Sequence, residues 1–278
     1  MTLEHSQIAE RKQKNMVIDN LVGIEEAEAL ILFYAQTIWK IVHSLKVSVH
    51  IGLVAVKLYK IFTLNTSIKL YDCKIAAISS VFLAIKLENG YQVSLSTICN
   101  KIKGTDPEAV KDTELLILKG NEYDCYVKTP WLPLLSLYND FEGFSEEDYK
   151  AAVTNLEMTF IGDIIYENKP SKLATAAALK VFIKTDKKEQ FEFYLEQKYT
   201  LAKQNDMCNT SFNQWYKELE DLVQIMSQEI KLDQKILKDV HSRIVGIASP
   251  SSSIENNSAL PTQHKRSLPS PETTNRKK

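Results

Sequence analysis

The amino-acid sequence predicts an all-α protein, and three observations carry that prediction. In its two clearest amphipathic stretches the apolar residues recur with period 3.6, and period 2 does not fit. Two further stretches, 73–87 and 172–184, are apolar nearly all round, as helices enclosed by other helices are. Glycine is scarce, 8 of 278 residues where roughly 7% is usual, so glycine-rich loops have little material.

Taken in order, residues 1–24 are polar and show no clear apolar pattern. From Glu25 onward Ala27, Leu30, Ile31, Tyr34, Ile38, Ile41, Val42 and Leu45 mark one face of a helix. A second helix is expected at about 48–63 on Ile51, Val54, Ala55, Leu58, Tyr59 and Phe62. The segment 73–87 has eleven apolar residues of fifteen, with Asp72 placed as its N-cap. Gly90, Gly104 and Pro107 punctuate a short helix near 94–103 and a longer one at 107–121. Five helices thus fill 25–125, with the third as their axis.

The next hundred residues repeat this plan. Ala76-Ala77-x-x-x-Val81-Phe82-Leu83 returns as Ala176-Ala177-x-x-x-Val181-Phe182-Ile183, inside the second nearly all-apolar helix. Pro130 and Pro133 mark the link between the halves. The second domain, 126–210, adds helices at about 146–163 and 190–204; one long amphipathic helix follows at 211–245. Residues 246–278 are rich in Ser, Pro, Thr and Asn and net basic, a composition of disordered chain.

Several chemistries find no footing. Neither GxGxxG nor GxxxxGK[ST] occurs. Cys73, Cys99, Cys125 and Cys208 are never closer than 26 residues and the five histidines do not join them, so no zinc or redox spacing exists and the thiols are expected in the core. No metal or cofactor is expected, no nucleophile–base pair stands out, and His43 and His50 read as structural. No apolar run reaches the length of a membrane span, and the start of the chain lacks a secretory signal, which makes a reducing intracellular compartment the expectation. The body of the chain is mildly acidic, poor equipment for direct nucleic-acid binding.

Two charges stand out by position. Lys86 closes the buried axial helix, and Glu114 sits within the apolar run Glu114-Leu-Leu-Ile-Leu. They are either a stabilising pair within the domain or two ordinary surface charges, or else adjacent charges in an apolar surface made to receive a partner.

These residues resemble the cyclin family. Val81-Phe-Leu-Ala-Ile-Lys86-Leu-Glu88 is similar to the end of the third cyclin-box helix, and Glu114-Leu-Leu-Ile-Leu to the fifth. Phe62-Thr-Leu-Asn65-Thr-Ser67 resembles the turn between second and third helices in transcription-type cyclins. Asn121-Glu-Tyr-Asp-Cys-Tyr-Val-Lys-Thr-Pro130-Trp-Leu-Pro133 resembles their link between boxes, and Ile165-Tyr166-Glu-Asn-Lys-Pro170-Ser171 the approach to the second axial helix. Ile61 and Leu132 stand where the family often has arginine, and Asn89 where an acid is common. Among subfamilies the likeness is greatest to cyclin H, with cyclin C close behind.

The resemblance implies a tandem cyclin-box fold: two five-helix domains, each around a central buried helix, with flanking terminal helices. It implies no enzyme but a nuclear regulatory subunit that binds and activates a cyclin-dependent protein kinase as a heterodimer. The kinase-binding residues would be Lys86 and Glu114, with Leu83, Leu87 and Leu118 as the apolar seat. A RING-type assembly factor and the general transcription machinery are the further partners it implies, without direct nucleic-acid or membrane contact. The competing expectations are a general transcription factor of the factor IIB type, which would bring a basic DNA-facing surface and a zinc ribbon, and a cyclin-fold scaffold that activates no kinase.

Overall fold

The axial helix of the first half begins where its cap was expected. In a computed structural model, which describes residues 3–17, 22–88, 93–204, 210–228 and 234–248, Asp72 Oδ1 accepts hydrogen bonds from the backbone N–H groups of Lys74 and Ile75. Thirteen α-helices and one 3-10 turn, Ile68–Leu70, make up the regular structure of the described residues. They are α1 (His5–Met16), α2 (Ile24–Leu45), α3 (Val49–Asn65), α4 (Cys73–Leu87), α5 (Leu95–Lys101), α6 (Pro107–Gly120), α7 (Trp131–Asp140), α8 (Glu146–Thr159), α9 (Ile164–Glu167), α10 (Pro170–Phe182), α11 (Lys188–Gln204), α12 (Phe212–Met226) and α13 (Gln234–Ala248).

Helix α4 is the first axis, enclosed by α2, α3, α5 and α6. Its alanines let these neighbours approach closely, and its two buried hydroxyls are matched: Ser79 Oγ donates to the Val110 carbonyl and Ser80 Oγ to that of Ala76. Helix α10 is the second axis, enclosed by α7, α8, α11 and α12. Pro170 opens it at a position where no N–H is needed. Phe182, at its end, packs against Phe141, Phe144 and Phe191 with ring centroids 4.6 to 5.6 Å apart. The offset-100 similarity therefore falls on two helices with the same place in their bundles.

The structure corrects several expectations. Residues 5–16, expected to lack a pattern, form α1, which buries Ile8, Asn15 and Met16. Its stability is tertiary: Asn15 Nδ2 donates to the Leu64 carbonyl, Arg11 to Asn65 Oδ1, and the Leu3 N–H to the Tyr166 carbonyl. The helix expected at 146–163 stops at Thr159, and the turn that follows frees Asp163 to face lysines from α1 and α3. The single helix expected at 211–245 is two. Helix α12 ends at Ser227 and packs in the second bundle, whereas α13 packs on α2 and the 3-10 turn of the first. Finally, α13 runs to Ala248, so residues 246–248 are helical rather than tail. Residues 249–278, with Asn89, Gly90 and Cys208, lie outside the described residues. Of the thiols expected in the core, Cys73 is buried, but Cys99 and Cys125 are only partly so.

A partly buried ionic cluster ties α1 to both bundles. Asp163 accepts from Lys60 Nζ at 2.8 Å and from Lys12, which also pairs with Glu28 at 2.5 Å. Burial alone would raise the Asp163 carboxyl, but Lys60 and Lys12 outweigh it and hold the pKa at about 2. Burial lowers the Lys60 pKa, partly offset by Asp163. Tyr166 completes the junction, its hydroxyl donating to the Lys60 carbonyl.

Candidate functional site

The end of α4 and the middle of α6 bring Lys86 and Glu114 together. Lys86 Nζ lies 2.5 Å from Glu114 Oε1, and 5.1 Å from the centre of the Phe82 ring one turn back along α4. The two ends of the pair are unequal. The Glu114 side chain is 11% exposed, fixed in the groove between the helices, while that of Lys86 is 52% exposed and reaches solvent across the Phe82 face.

The apolar residues around the pair divide. Leu87 and Leu118 are partly exposed at its flanks, as an apolar seat requires. Leu83 is not available: at 4% exposure it belongs to the core beneath. It lies one turn from Lys86 along α4, but its side chain is packed inward. The residue that sequence reasoning missed is Leu115, 48% exposed and one turn from Leu118 on α6. Leu116 is 36% exposed on the same helix. The signal was present, since an α6 of fourteen residues with Leu115, Leu116, Ile117 and Leu118 in sequence holds more apolar residues than one buried face can cover.

A second polar chain runs from this end of α4 to the link between the bundles. His50, in the first turn of α3, places Nε2 3.0 Å from Glu88 Oε2 and Nδ1 3.2 Å from Thr129 Oγ1. The carboxylate can only accept, so Nε2 carries a proton, and a neutral ring then accepts from the Thr129 hydroxyl through Nδ1. The Trp131 ring is 6.3 Å away. His50 thus links the end of α4 to the segment between the bundles. His43 similarly pairs with Glu157 of α8, at 3.0 Å, across the two bundles.

Among the described residues no group of three or more His, Cys, Asp or Glu side chains could hold a metal ion. None of the helices described is long and apolar enough to cross a membrane. What the α4–α6 surface offers is a fixed ion pair with one exposed cation, set among half-exposed leucines, an arrangement suited to gripping another protein.

No family model matches the chain. Among curated proteins it is similar to cyclin mcs2 of Schizosaccharomyces pombe, 28% identical over 132 residues, which are 48% of this chain and 41% of that protein. It is also similar to cyclin CCL1 of Saccharomyces cerevisiae, 23% identical over 56% of this chain and 42% of that protein. Among solved structures, a chain of the CAK complex of Chaetomium thermophilum bound to ATP-gamma-S superposes with a TM-score of 0.67, covering 93% of this chain and 94% of that one at 15% identity. The fold is that of the cyclins. A chain of the yeast TFIIK complex, Kin28/Ccl1/Tfb3, agrees, with a TM-score of 0.66 over 81% of this chain and 96% of that one at 20% identity. The sequence matches span about two fifths of the length of the curated cyclins, 41% and 42%. In the cyclin fold of this chain, α4 and α10 are the two axial helices, and the Lys86–Glu114 pair stands at the solvent end of the first.

Proposed function

We propose that the chain is a transcription-type cyclin, a regulatory subunit that binds and activates a cyclin-dependent protein kinase and has no catalytic centre of its own. The observation that carries this reading is the Lys86–Glu114 pair: a buried carboxylate holds a half-exposed ammonium in place among Leu87, Leu115 and Leu118. The resemblance to cyclins implies that this corner of the first bundle receives the kinase αC helix. The leucines supply an apolar seat for that helix, and the pair supplies charge and hydrogen bonds to the backbone and charged groups around it.

The task is a shift of population. A protein kinase transfers phosphate only when the αC glutamate pairs with the ATP-binding lysine, so a partner that binds this arrangement better drives the kinase into it. Moving the equilibrium from 1:99 to 99:1 takes a difference in affinity of about 5.5 kcal/mol between the two states. That is within reach of one apolar seat with a desolvated polar pair at its centre, since losing one member of such a pair costs ~2–5 kcal/mol.

Sequence similarity to cyclins mcs2 and CCL1 supports a transcription-type cyclin, and the likeness to chains of the CAK and TFIIK complexes supports the fold. On this reading the protein works in the nucleus, beside a RING-type assembly factor and the general transcription machinery. Affinity purification of the tagged full chain, with mass spectrometry of what remains bound, tests it. A cyclin-dependent kinase with kinase activity in the eluate is the expected result. Recovery of polymerase or promoter DNA without a kinase would overturn it.

A further inference from the structure

Away from the α4–α6 surface, a cavity of about 370 Å³ opens where α1, α3, the link between bundles and α9 meet. Its size is at the small end of ligand sites, enough for one or two side chains. Ile61, Val127 and Ile165 give it apolar walls, and Arg11, Lys57 and Asn121 give it polar ones.

Two of the polar groups are incompletely satisfied. Lys57 is 9% exposed, and its ammonium donates to the Lys128 carbonyl at 2.9 Å. Among the described residues no carboxylate pairs with it; burial lowers its pKa, and the nearby charge that acts on it is the ammonium of Lys128. A buried cation with a single neutral acceptor and two remaining donors is an unusual thing to keep. Asn121 is 7% exposed, and its Nδ2 donates to the Leu58 carbonyl while its Oδ1, fully buried, has no donor. At the mouth, Glu122 and Tyr123 hold left-handed backbone conformations, φ 55° and 59°, which side-chain-bearing residues keep only where the surroundings impose them.

The unmet needs of the cavity are thus one anion for Lys57 and an apolar stem between the walls. We propose that the cavity receives an acidic side chain from a segment of a partner protein, its carboxylate paired with Lys57 and its methylenes between the apolar walls. A free inorganic anion would meet the first need only. The exposed carboxylates of Glu122 and Asp124 at the rim disfavour a doubly charged phosphate and leave room for a single negative charge.

The test uses the full chain with 13Cε-labelled lysine, titrated with N-acetyl-glutamate N-methylamide and observed by NMR. Lys57→Met identifies the Lys57 signal, and Lys57→Arg serves if that variant does not fold. The Lys57 signal should shift saturably with a Kd of about 1 mM, the range open to a ligand of this size. The glutamine counterpart, acetate and inorganic phosphate should each bind at least tenfold more weakly. Equal binding of the glutamine counterpart would show that charge is not read. Acetate or phosphate binding as tightly as the glutamate unit would mean a simple anion site, and no shift at all would mean no site; each of these overturns the proposal.

Discussion

Replacing Asp163 with alanine should destabilise the protein by about 3 kcal/mol, well above the worth of an exposed ion pair. The reason is what it strands. The Lys60 side chain is 4% exposed, its ammonium donates to Asp163 at 2.8 Å, and burial already works against its charge. Removing one partner of a buried pair costs ~3–5 kcal/mol, and because the Asp163 side chain is 40% exposed, water replaces part of it and the lower end applies. For a chain of this size that is a fall in Tm of about 6–12 °C. Lys60→Met removes the stranded charge, so the double replacement should be more stable than Asp163→Ala alone, and thermal or urea unfolding of the four proteins gives the coupling. Acid adds a second readout. The Asp163 pKa is depressed to about 2, so its contribution is fully present above the unfolded value of about 3.9 and is lost as pH falls through about 2. The parent should lose this stability between about pH 4 and 2, and Asp163→Ala should not. A loss below ~0.5 kcal/mol, or parallel acid profiles, would refute the reasoning.

Three further outcomes follow from named contacts. A Cβ on Gly52 would overlap the Trp39 ring, so Gly52→Ala should cost about 1–3 kcal/mol by urea unfolding, despite the better helix propensity of alanine. Asp72→Ala removes the cap of α4 and should cost ~1 kcal/mol, with Asp72→Ser recovering most of it. Ile8→Ala, in a helix held on mainly by tertiary contacts, should cost about 2–4 kcal/mol and raise hydrogen exchange in α1 before the axial helices are affected.

The axial helices were legible because burial on every side leaves a composition that only an enclosed helix has, and α2 and α3 because period 3.6 survives their β-branched residues. Helix α1 was not. Its twelve residues bury only Ile8, Asn15 and Met16, and its hold on the body comes from Lys12, Arg11 and Asn15, whose partners are 16 to 151 positions away. The break between α12 and α13 was hidden for a different reason: amphipathic spacing continues through both, although Tyr216, Leu219 and Val223 face the second bundle and Leu237, Val240 and Ile244 belong to a helix packed on the first. At the candidate site, Lys86 and Glu114 were readable, since one closes an apolar run and the other opens one. Which leucines stay exposed was not, because that depends on how α6 is rotated against α4: Leu83 went to the core and Leu115 to solvent.

The central claim, that the Lys86–Glu114 corner is where a kinase is held, is tested most directly by the affinity of Lys86→Ala and Glu114→Ala for the co-purified cyclin-dependent kinase. In the isolated chain Glu114→Ala leaves only the half-exposed Lys86 behind and should change stability by at most ~1 kcal/mol, whereas Lys86→Ala strands the 11%-exposed Glu114 carboxylate and should cost about 1–3 kcal/mol. In the complex the same replacements should weaken binding by ~2–5 kcal/mol, roughly 30- to 5000-fold. Affinity within twofold of the parent in both variants would contradict the account.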